Sequence, residues 1–237
     1  MEKIWKLYPK LVAEIKKSHD EVDGLGYGHD FDHCLRVGNL ASVLADEVYV
    51  TAEEEETESC NADSGIYAGV AGLCHNVYRI LQVQEKVGVY GKIDREKIEK
   101  LIFSWLAFMK NWSQSDKKLI VELCLKHSEP NKSNDSLALI ALKDADRVVN
   151  AGADVIVRNG QFFPPNFPMV DPINLFSKAL QSALDWEDEK CCAVLRLPQA
   201  KEFAKRRFAY LRKHIEEVIE QRREEGLLDG DYPVFDK

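Results

Sequence analysis

Apolar residues recur every three or four positions over most of this 237-residue chain, the spacing of one face of an α-helix. The pattern predicts helices at about residues 3–18, 30–48, 62–86, 94–110, 115–127, 135–150, 172–186 and 198–226. Asp30, Ser115 and Asp135 are short polar residues at predicted helix starts, where such side chains cap the first turn. Only the run VYVTA, residues 48–52, has the composition of a β-strand. The sequence therefore predicts an all-α fold.

Two connecting segments differ from the helical pattern. The acidic run 53–58 is expected to form a solvated connection, as charge runs usually do. Residues 159–172, NGQFFPPNFPMVDP, combine helix-blocking prolines with aromatic side chains that need apolar surroundings. A segment of this length is either a lid over a pocket or an ordered loop packed on the core, and the sequence leaves both open.

Composition narrows the class of protein. With 45% hydrophobic residues in 237, the chain can bury a large core, and we expect a single domain over residues 1–237. A net charge of −8 argues against nucleic acid or an anionic membrane as the main partner and favours a small molecule. The amino-terminal segment alternates charged and apolar residues, so no signal peptide is expected. Six cysteines without a CxxC pair indicate reduced thiols and a cytoplasmic location, whereas the oligomeric state is left open.

Candidate metal ligands interrupt three apolar helical segments. They are His33, the adjacent pair His75 and Asn76, and Asp146. Each alone could be a hydrogen-bonded core residue or a member of an ion pair, because an unpaired polar group is costly inside a core. Together they offer imidazole and carboxylate, which are ligands of divalent cations. Small residues in the stretch 68–72 leave room for another helix to pack closely beside His75.

Four sequence blocks carry a resemblance to a known family. GHDFDHCLRVGNLA, AGLCHNVYRI, CLKHSEPN and LKDADRVVNAGADVIVR follow the His, His-Asp, Asp order of the HD-domain metal-dependent phosphohydrolases. The resemblance extends over residues 28–221, and FPMVDPINLFSKAL and AKEFAKRRFAYLRKHIEEVIE are similar to the small single-domain subgroup that includes nucleotide pyrophosphohydrolases. It implies an HD-domain-like helical bundle in which His33, His75, Asn76 and Asp146 hold one divalent metal ion.

Two residues depart from the family pattern. Asn76 stands where the family has the aspartate of its His-Asp pair, and Arg79 stands where members often carry an acidic residue. Asparagine offers one uncharged oxygen, so affinity for a hard dication is expected to be lower, or the ion absent. Arg79 cannot act as a base, because its guanidinium stays protonated, but its planar fork suits a phosphate.

The remaining candidate residues surround these blocks. The catalytic candidates are His127 and Asp144, although Asp144 lies two residues from Asp146 and faces another direction on a helix, which makes His127 the better base. Basic candidates for contact with a substrate phosphate are His29, Arg79, Lys143, Arg147 and Arg158.

The leading hypothesis is a metal-dependent phosphohydrolase of HD type acting on a nucleotide or other small phosphate ester. The ion could be Mn, Fe, Co, Ni, Zn or Mg, since the ligand set alone does not select one. The alternative is a catalytically inactive HD-fold protein that binds a nucleotide or other phosphorylated ligand in a regulatory role. A third interpretation, in which Asn76 was introduced deliberately to trap a substrate, also remains open.

Overall fold

The computed structural model describes residues 3–23, 25, 29–54, 63–88, 91–151 and 193–226, with the backbone alone at 49–54. Within these ranges lie nine α-helices: α1 (Ile4–Leu7), α2 (Pro9–Asp20), α3 (Phe31–Glu54), α4 (Ser64–Cys74), α5 (Val77–Gln84), α6 (Arg95–Trp105), α7 (Gln114–Lys126), α8 (Leu137–Val149) and α9 (Pro198–Glu224). A short 3-10 helix, Leu106–Phe108, follows α6. No described residue lies in a strand, and the all-α prediction is confirmed.

The chain packs as two compact units, Met1–Val149 and Asn150–Lys237. Helices α1 to α8 belong to the first unit and α9 to the second. The expectation of a single domain stays a prediction. No helix in the described ranges is both long and apolar enough to cross a membrane.

Two predicted helices are each divided in the structure. The predicted helix 3–18 becomes α1 and α2, because Pro9 stands at the first position of α2 and cannot donate to the turn before it. The predicted helix 62–86 becomes α4 and α5, with the break at His75 and Asn76. The strand-like run 48–52 is helical and lies within α3.

The caps of α3 and α7 show how local side chains set helix starts. Asp30 caps α3 as predicted: its Oδ1 accepts a hydrogen bond of 2.9 Å from the backbone N–H of His33. The cap predicted at Ser115 is wrong, because Ser113 caps α7. Ser113 and Asp116 form a reciprocal capping box, which satisfies two backbone donors where Ser115 would satisfy one.

The start of α8 also differs from the prediction. The helix begins at Leu137, and Ser136 Oγ accepts a 3.4 Å hydrogen bond from the backbone N–H of Leu139, so Asp135 is not the cap. The Asp135 carboxylate instead accepts a 2.9 Å hydrogen bond from Nζ of the buried Lys143. Lys143 also donates to the Pro130 carbonyl at 3.1 Å, which fastens the α7–α8 connection to α8.

Helices α3 and α4 approach closely because glycines face each other. A Cβ placed on Gly72 would lie 2.6 Å from Gly38 Cα, and one on Gly38 would lie 2.8 Å from the Gly69 carbonyl oxygen. Such distances leave no space for a side chain, so the two backbones are in direct contact. The close packing expected beside His75 is therefore present, and it places the carboxyl end of α4 against the first turns of α3, which carry His33.

Candidate metal centre

Three polar side chains from separate elements converge in the first unit. His33 comes from α3, His75 from the α4–α5 junction and Asp146 from α8. Asp146 Oδ1 lies 3.2 Å from His33 Nε2 and 3.8 Å from His75 Nε2, and the three ligand atoms all lie within 4.8 Å of one another. Both histidines are buried, whereas Asp146 is half-buried. Two imidazole nitrogens and one carboxylate oxygen fit a divalent cation, with room for further ligands.

His75 is held in the orientation and charge state of a metal ligand. Its Nδ1 lies 2.7 Å from the Gly72 carbonyl oxygen, which can only accept, so Nδ1 carries the proton. The Nε2 lone pair therefore faces Asp146. Burial lowers the pKa of His75 to about 3, so the imidazole is neutral at ordinary pH, as metal ligation requires.

Asp146 is the anionic member of the group. Burial alone raises the pKa of a carboxyl, but the hydrogen bond from His33 and the neighbouring imidazoles of His75 and His127 outweigh it and lower the pKa of Asp146 below its ordinary value. The side chain is therefore a carboxylate, the form that binds a cation.

Asn76 adjoins this group on the polypeptide and is buried, with 5% of its surface exposed. Its backbone carbonyl begins α5 by accepting from the N–H groups of Arg79 at 2.9 Å and Ile80 at 3.2 Å. No described oxygen or nitrogen accepts a hydrogen bond from Asn76 Nδ2. The neighbouring Cys34 thiol is a weak acceptor, because burial raises its pKa even though the Asn76 amide favours the thiolate. The role of Asn76 as a ligand stays a prediction.

A cavity of about 330 Å³ opens beside His75, which is the one of the three ligands that lines it. His75, Asn76, Arg79, His127 and Ser128 supply polar groups to its wall. The ring of His127, at the end of α7, lies 5.3 Å from the His75 ring between centroids. Its Nδ1 lies 2.6 Å from the Cys124 carbonyl oxygen, so Nδ1 donates and Nε2 is the nitrogen that can exchange a proton.

Arg79 is held by its own helix. Its Nη1 donates a 2.9 Å hydrogen bond to Oε1 of the buried Gln82, whose Nε2 donates to the Gly91 carbonyl at 2.8 Å. Arg79 was predicted from the sequence, whereas Gln82 and Ser128 were not. Two features of the sequence could have identified them. Gln82 lies three positions after Arg79, where the helix face is buried, and the hydroxyl residue Ser128 directly follows His127.

The second predicted catalytic residue lies apart from the ligands. Asp144 is fully buried, and its Oδ1 lies 3.6 Å from Nη1 of Arg147. Two residues along a helix correspond to a rotation of about 200°, so Asp144 and Asp146 leave α8 on opposite sides. The proposed base function of Asp144 stays a prediction.

The other basic candidates occupy varied surroundings. Arg147 donates to Asn131 Oδ1 at 3.2 Å, and Lys143 is engaged by Asp135 and Pro130 as described above. The His29 and His33 rings lie 6.4 Å apart between centroids. Arg158 and the segments 159–172 and 172–186 lie outside the described residues, as do residues 55–58 of the acidic run. The substrate-binding roles stay predictions.

Comparisons with known proteins agree with the architecture. No protein-family model and no curated protein matches the sequence. Bacillus subtilis YpgQ, solved in complex with ADP, is 16% identical with a TM-score of 0.55, covering 90% of this chain and 96% of that one. An HD-superfamily hydrolase from Bacillus thuringiensis is 19% identical with a TM-score of 0.56, covering 93% and 98%.

A third solved structure, from Lactobacillus plantarum, is 19% identical with a TM-score of 0.55 and covers 91% of this chain and 98% of that one. At these identities the likeness concerns the fold, and it agrees with the sequence resemblance given by the His33, His75 and Asp146 blocks. The chain therefore has the HD-domain fold.

Proposed function

We propose that the protein is a metal-dependent phosphohydrolase that acts on a nucleotide or another small phosphate ester. The observation that supports the proposal is the convergence of His33 Nε2, His75 Nε2 and Asp146 Oδ1 within 4.8 Å of one another in an HD-domain fold. Neutral imidazole and carboxylate are the forms in which these residues bind a divalent ion. When bound, such an ion supplies Lewis-acid polarisation of a phosphoryl oxygen.

His127 is the residue we assign to proton transfer. Its Nδ1 donates a hydrogen bond to the Cys124 carbonyl, so Nε2 is the nitrogen left to accept a proton. It lines the cavity and lies beside His75, so a proton removed from an attacking water has an acceptor within the site.

Arg79 is the residue we assign to the phosphate. Its guanidinium has a planar fork that matches two phosphate oxygens and stays charged while negative charge develops. The fold likeness to YpgQ, which was solved with ADP, supports a nucleotide as the substrate class. The 330 Å³ cavity holds a compact group, since ligand pockets begin at about that size.

Hydrolysis assays on the purified full chain test the proposal. Mn²⁺, Co²⁺, Ni²⁺, Mg²⁺, Fe²⁺ and Zn²⁺ are added singly, with nucleoside triphosphates, nucleoside diphosphates and p-nitrophenyl phosphate as substrates. Turnover should require one of these ions and should be lost in Asp146→Asn, which removes the ligand charge at constant shape. Asp20→Asn is the matched control, because that carboxylate is exposed and forms a surface ion pair with Lys16.

Two results would contradict the proposal. One is the absence of metal-dependent turnover with every substrate; a nucleotide that raises the melting temperature under those conditions would identify a binding protein instead. The other is an Asp146→Asn variant that turns over as fast as the parent.

A further inference from the structure

Several residues that can donate hydrogen bonds line the cavity beside His75. The cavity's described lining includes Arg79, Asn76, Ser128 and His127, whose side chains can donate hydrogen bonds, beside apolar Val77, Ile98 and Leu125, and no Asp or Glu. Donor groups with no Asp or Glu among the described lining residues favour an oxyanion.

Gln82 positions the Arg79 side chain. The Gly91 carbonyl can only accept and a guanidinium can only donate, so the Gln82 amide has one possible orientation, with Nε2 towards Gly91 and Oε1 towards Arg79. The Gly91 carbonyl is itself fixed by a 3.1 Å hydrogen bond from Tyr78 Oη. Because Gln82 is 3% exposed, its amide is surrounded by protein and cannot readily turn. The guanidinium thus loses less conformational freedom when a ligand binds.

Asn76 supplies an independent sign of a ligand. Its side chain is 95% buried (5% exposed) and lines the cavity, while its Nδ2 has no described oxygen or nitrogen to accept a hydrogen bond. The neighbouring Cys34 thiol is only a weak acceptor for this amide, and a buried donor left poorly satisfied costs up to about 1–3 kcal/mol. An oxygen of a bound anion would remove that cost.

From these features we infer that the cavity is an oxyanion-binding site for a phosphoryl group, that it works without a metal ion, and that Gln82 is its positioning residue. Arg79 provides the charge and the planar fork, and Asn76 and Ser128 provide neutral donors. The inference rests on the proposed function for the identity of the anion as a phosphoryl group, but the binding itself does not require hydrolysis. The cavity volume of about 330 Å³ suits a phosphoryl group with a small attached portion of a ligand.

Titration of inorganic phosphate into the full chain, after dialysis against a chelator, tests the inference by calorimetry. Sodium chloride at matched ionic strength measures non-specific screening. Circular dichroism confirms that each protein remains helical. Arg79→Met should weaken phosphate binding roughly tenfold or more, since a charge-assisted hydrogen bond is lost. Gln82→Met, which keeps volume but removes the amide, should weaken binding by a smaller factor without changing helical content.

Two further variants make the test specific. Arg95→Met is the matched control, because Arg95 is exposed and pairs with Glu99 and Glu122 away from the cavity wall. It should bind phosphate like the parent. Asn76→Asp places a carboxylate in the wall, so it should weaken phosphate binding while strengthening metal binding. Opposite effects on the two ligands would not follow from a general loss of structure.

The inference is overturned if the metal-free parent binds phosphate no better than chloride, or if Arg79→Met and Arg95→Met bind it equally. Gln82→Met with parental phosphate affinity would overturn the positioning role. Metal-dependent hydrolysis without phosphate binding by the metal-free protein would contradict this inference and leave the proposed function standing. Phosphate binding by the metal-free protein without any metal-dependent hydrolysis would support this inference and contradict the proposed function.

Discussion

Replacement of Gly72 by alanine tests whether the contact between α3 and α4 sets the geometry of the metal centre. The added Cβ would lie 2.6 Å from Gly38 Cα and 2.8 Å from Gly38 N. Carbon atoms in contact prefer about 3.5–4.0 Å, so the helices must separate by roughly 1 Å. Both colliding atoms belong to the backbone, so rotation of a side chain cannot relieve the clash.

The expected loss of stability follows from two opposing effects. Overpacking of a core costs about 1–3 kcal/mol. The cost here is expected at the upper end, about 3 kcal/mol, because the clashing backbone atoms cannot move aside. Alanine stabilises a helix interior by about 1 kcal/mol relative to glycine, so the net loss is about 2 kcal/mol. For a protein of this size that corresponds to a decrease in melting temperature of roughly 4–8 °C.

The same separation should impair metal binding. Gly72 lies on the helix that ends next to His75, and Gly38 lies on the helix that carries His33. A shift of roughly 1 Å between the helices exceeds the tolerance of metal–ligand distances, about 0.2 Å. We therefore expect Gly72→Ala to bind Mn²⁺ at least about tenfold more weakly, an energy of about 1.4 kcal/mol.

Thermal unfolding followed by circular dichroism and calorimetric titration with Mn²⁺ measure the two effects. Gly88→Ala is the matched control, because a Cβ there meets no atom within 4 Å. It should leave both the melting temperature and the Mn²⁺ affinity unchanged. If Gly72→Ala melts and binds Mn²⁺ like the parent, the glycine contact does not position the two histidines.

Three further predictions concern single side chains. Asn76→Asp should raise Mn²⁺ affinity roughly tenfold in calorimetry, because a second carboxylate joins the site; an unchanged affinity would show that Asn76 does not face the ion. Lys143→Met should lower stability to denaturant by about 3–5 kcal/mol, because the buried Asp135 carboxylate loses its lysine counter-charge. A loss below about 1 kcal/mol would contradict this, and Lys143→Met combined with Asp135→Asn should recover part of the loss. Burial raises the pKa of Cys34 and Cys74, so fewer thiolates form at any given pH, and site-resolved mass spectrometry at pH 8 should find both unalkylated by iodoacetamide unless the chain is first denatured.

The candidate ligands could be found in the sequence because each is a polar residue in an apolar helical run. His33, His75 and Asp146 would be costly at such positions without partners, and that cost is independent of tertiary detail. The hydrophobic pattern does not predict the distances between these three side chains. Those depend on the glycine contact between α3 and α4, of which the sequence showed only the small residues.

The break between α4 and α5 was not predictable from local chemistry. His75 keeps helical backbone angles, with φ/ψ of −60°/−28°, and Asn76 leaves them in ψ, with −80°/7°. Neither glycine nor proline marks the position. The start of α7, in contrast, could have been predicted from the sequence. Ser113 followed three residues later by Asp116 has the spacing of a capping box, which is stronger evidence for a helix start than a lone serine.

Lys143 shows the limit of assigning phosphate contacts from basic residues alone. A lysine beside the metal-ligand block resembles a phosphate contact, but its ammonium group is engaged by Asp135 eight residues earlier in sequence. The α7–α8 connection has to fold back to bring the two together, and no helical spacing encodes that turn. Arg79 differs because its partner Gln82 lies within one helical turn, where side chains three residues apart are neighbours.

The two departures from the HD pattern act in the same direction on the electrostatics of the site. With Asn76 uncharged, Asp146 is the one carboxylate among the four predicted ligands, so a bound dication would retain about one unit of positive charge more than with an aspartate at that position. Arg79 adds a further positive charge to the adjoining cavity. Both changes weaken the hold on a cation and strengthen the attraction for an anion in the same small, partly desolvated space, where opposite charges interact more strongly than in water. If the proposed oxyanion site is correct, metal and phosphoryl group stabilise each other here, and phosphate should increase the affinity for Mn²⁺ by the same factor as Mn²⁺ increases the affinity for phosphate.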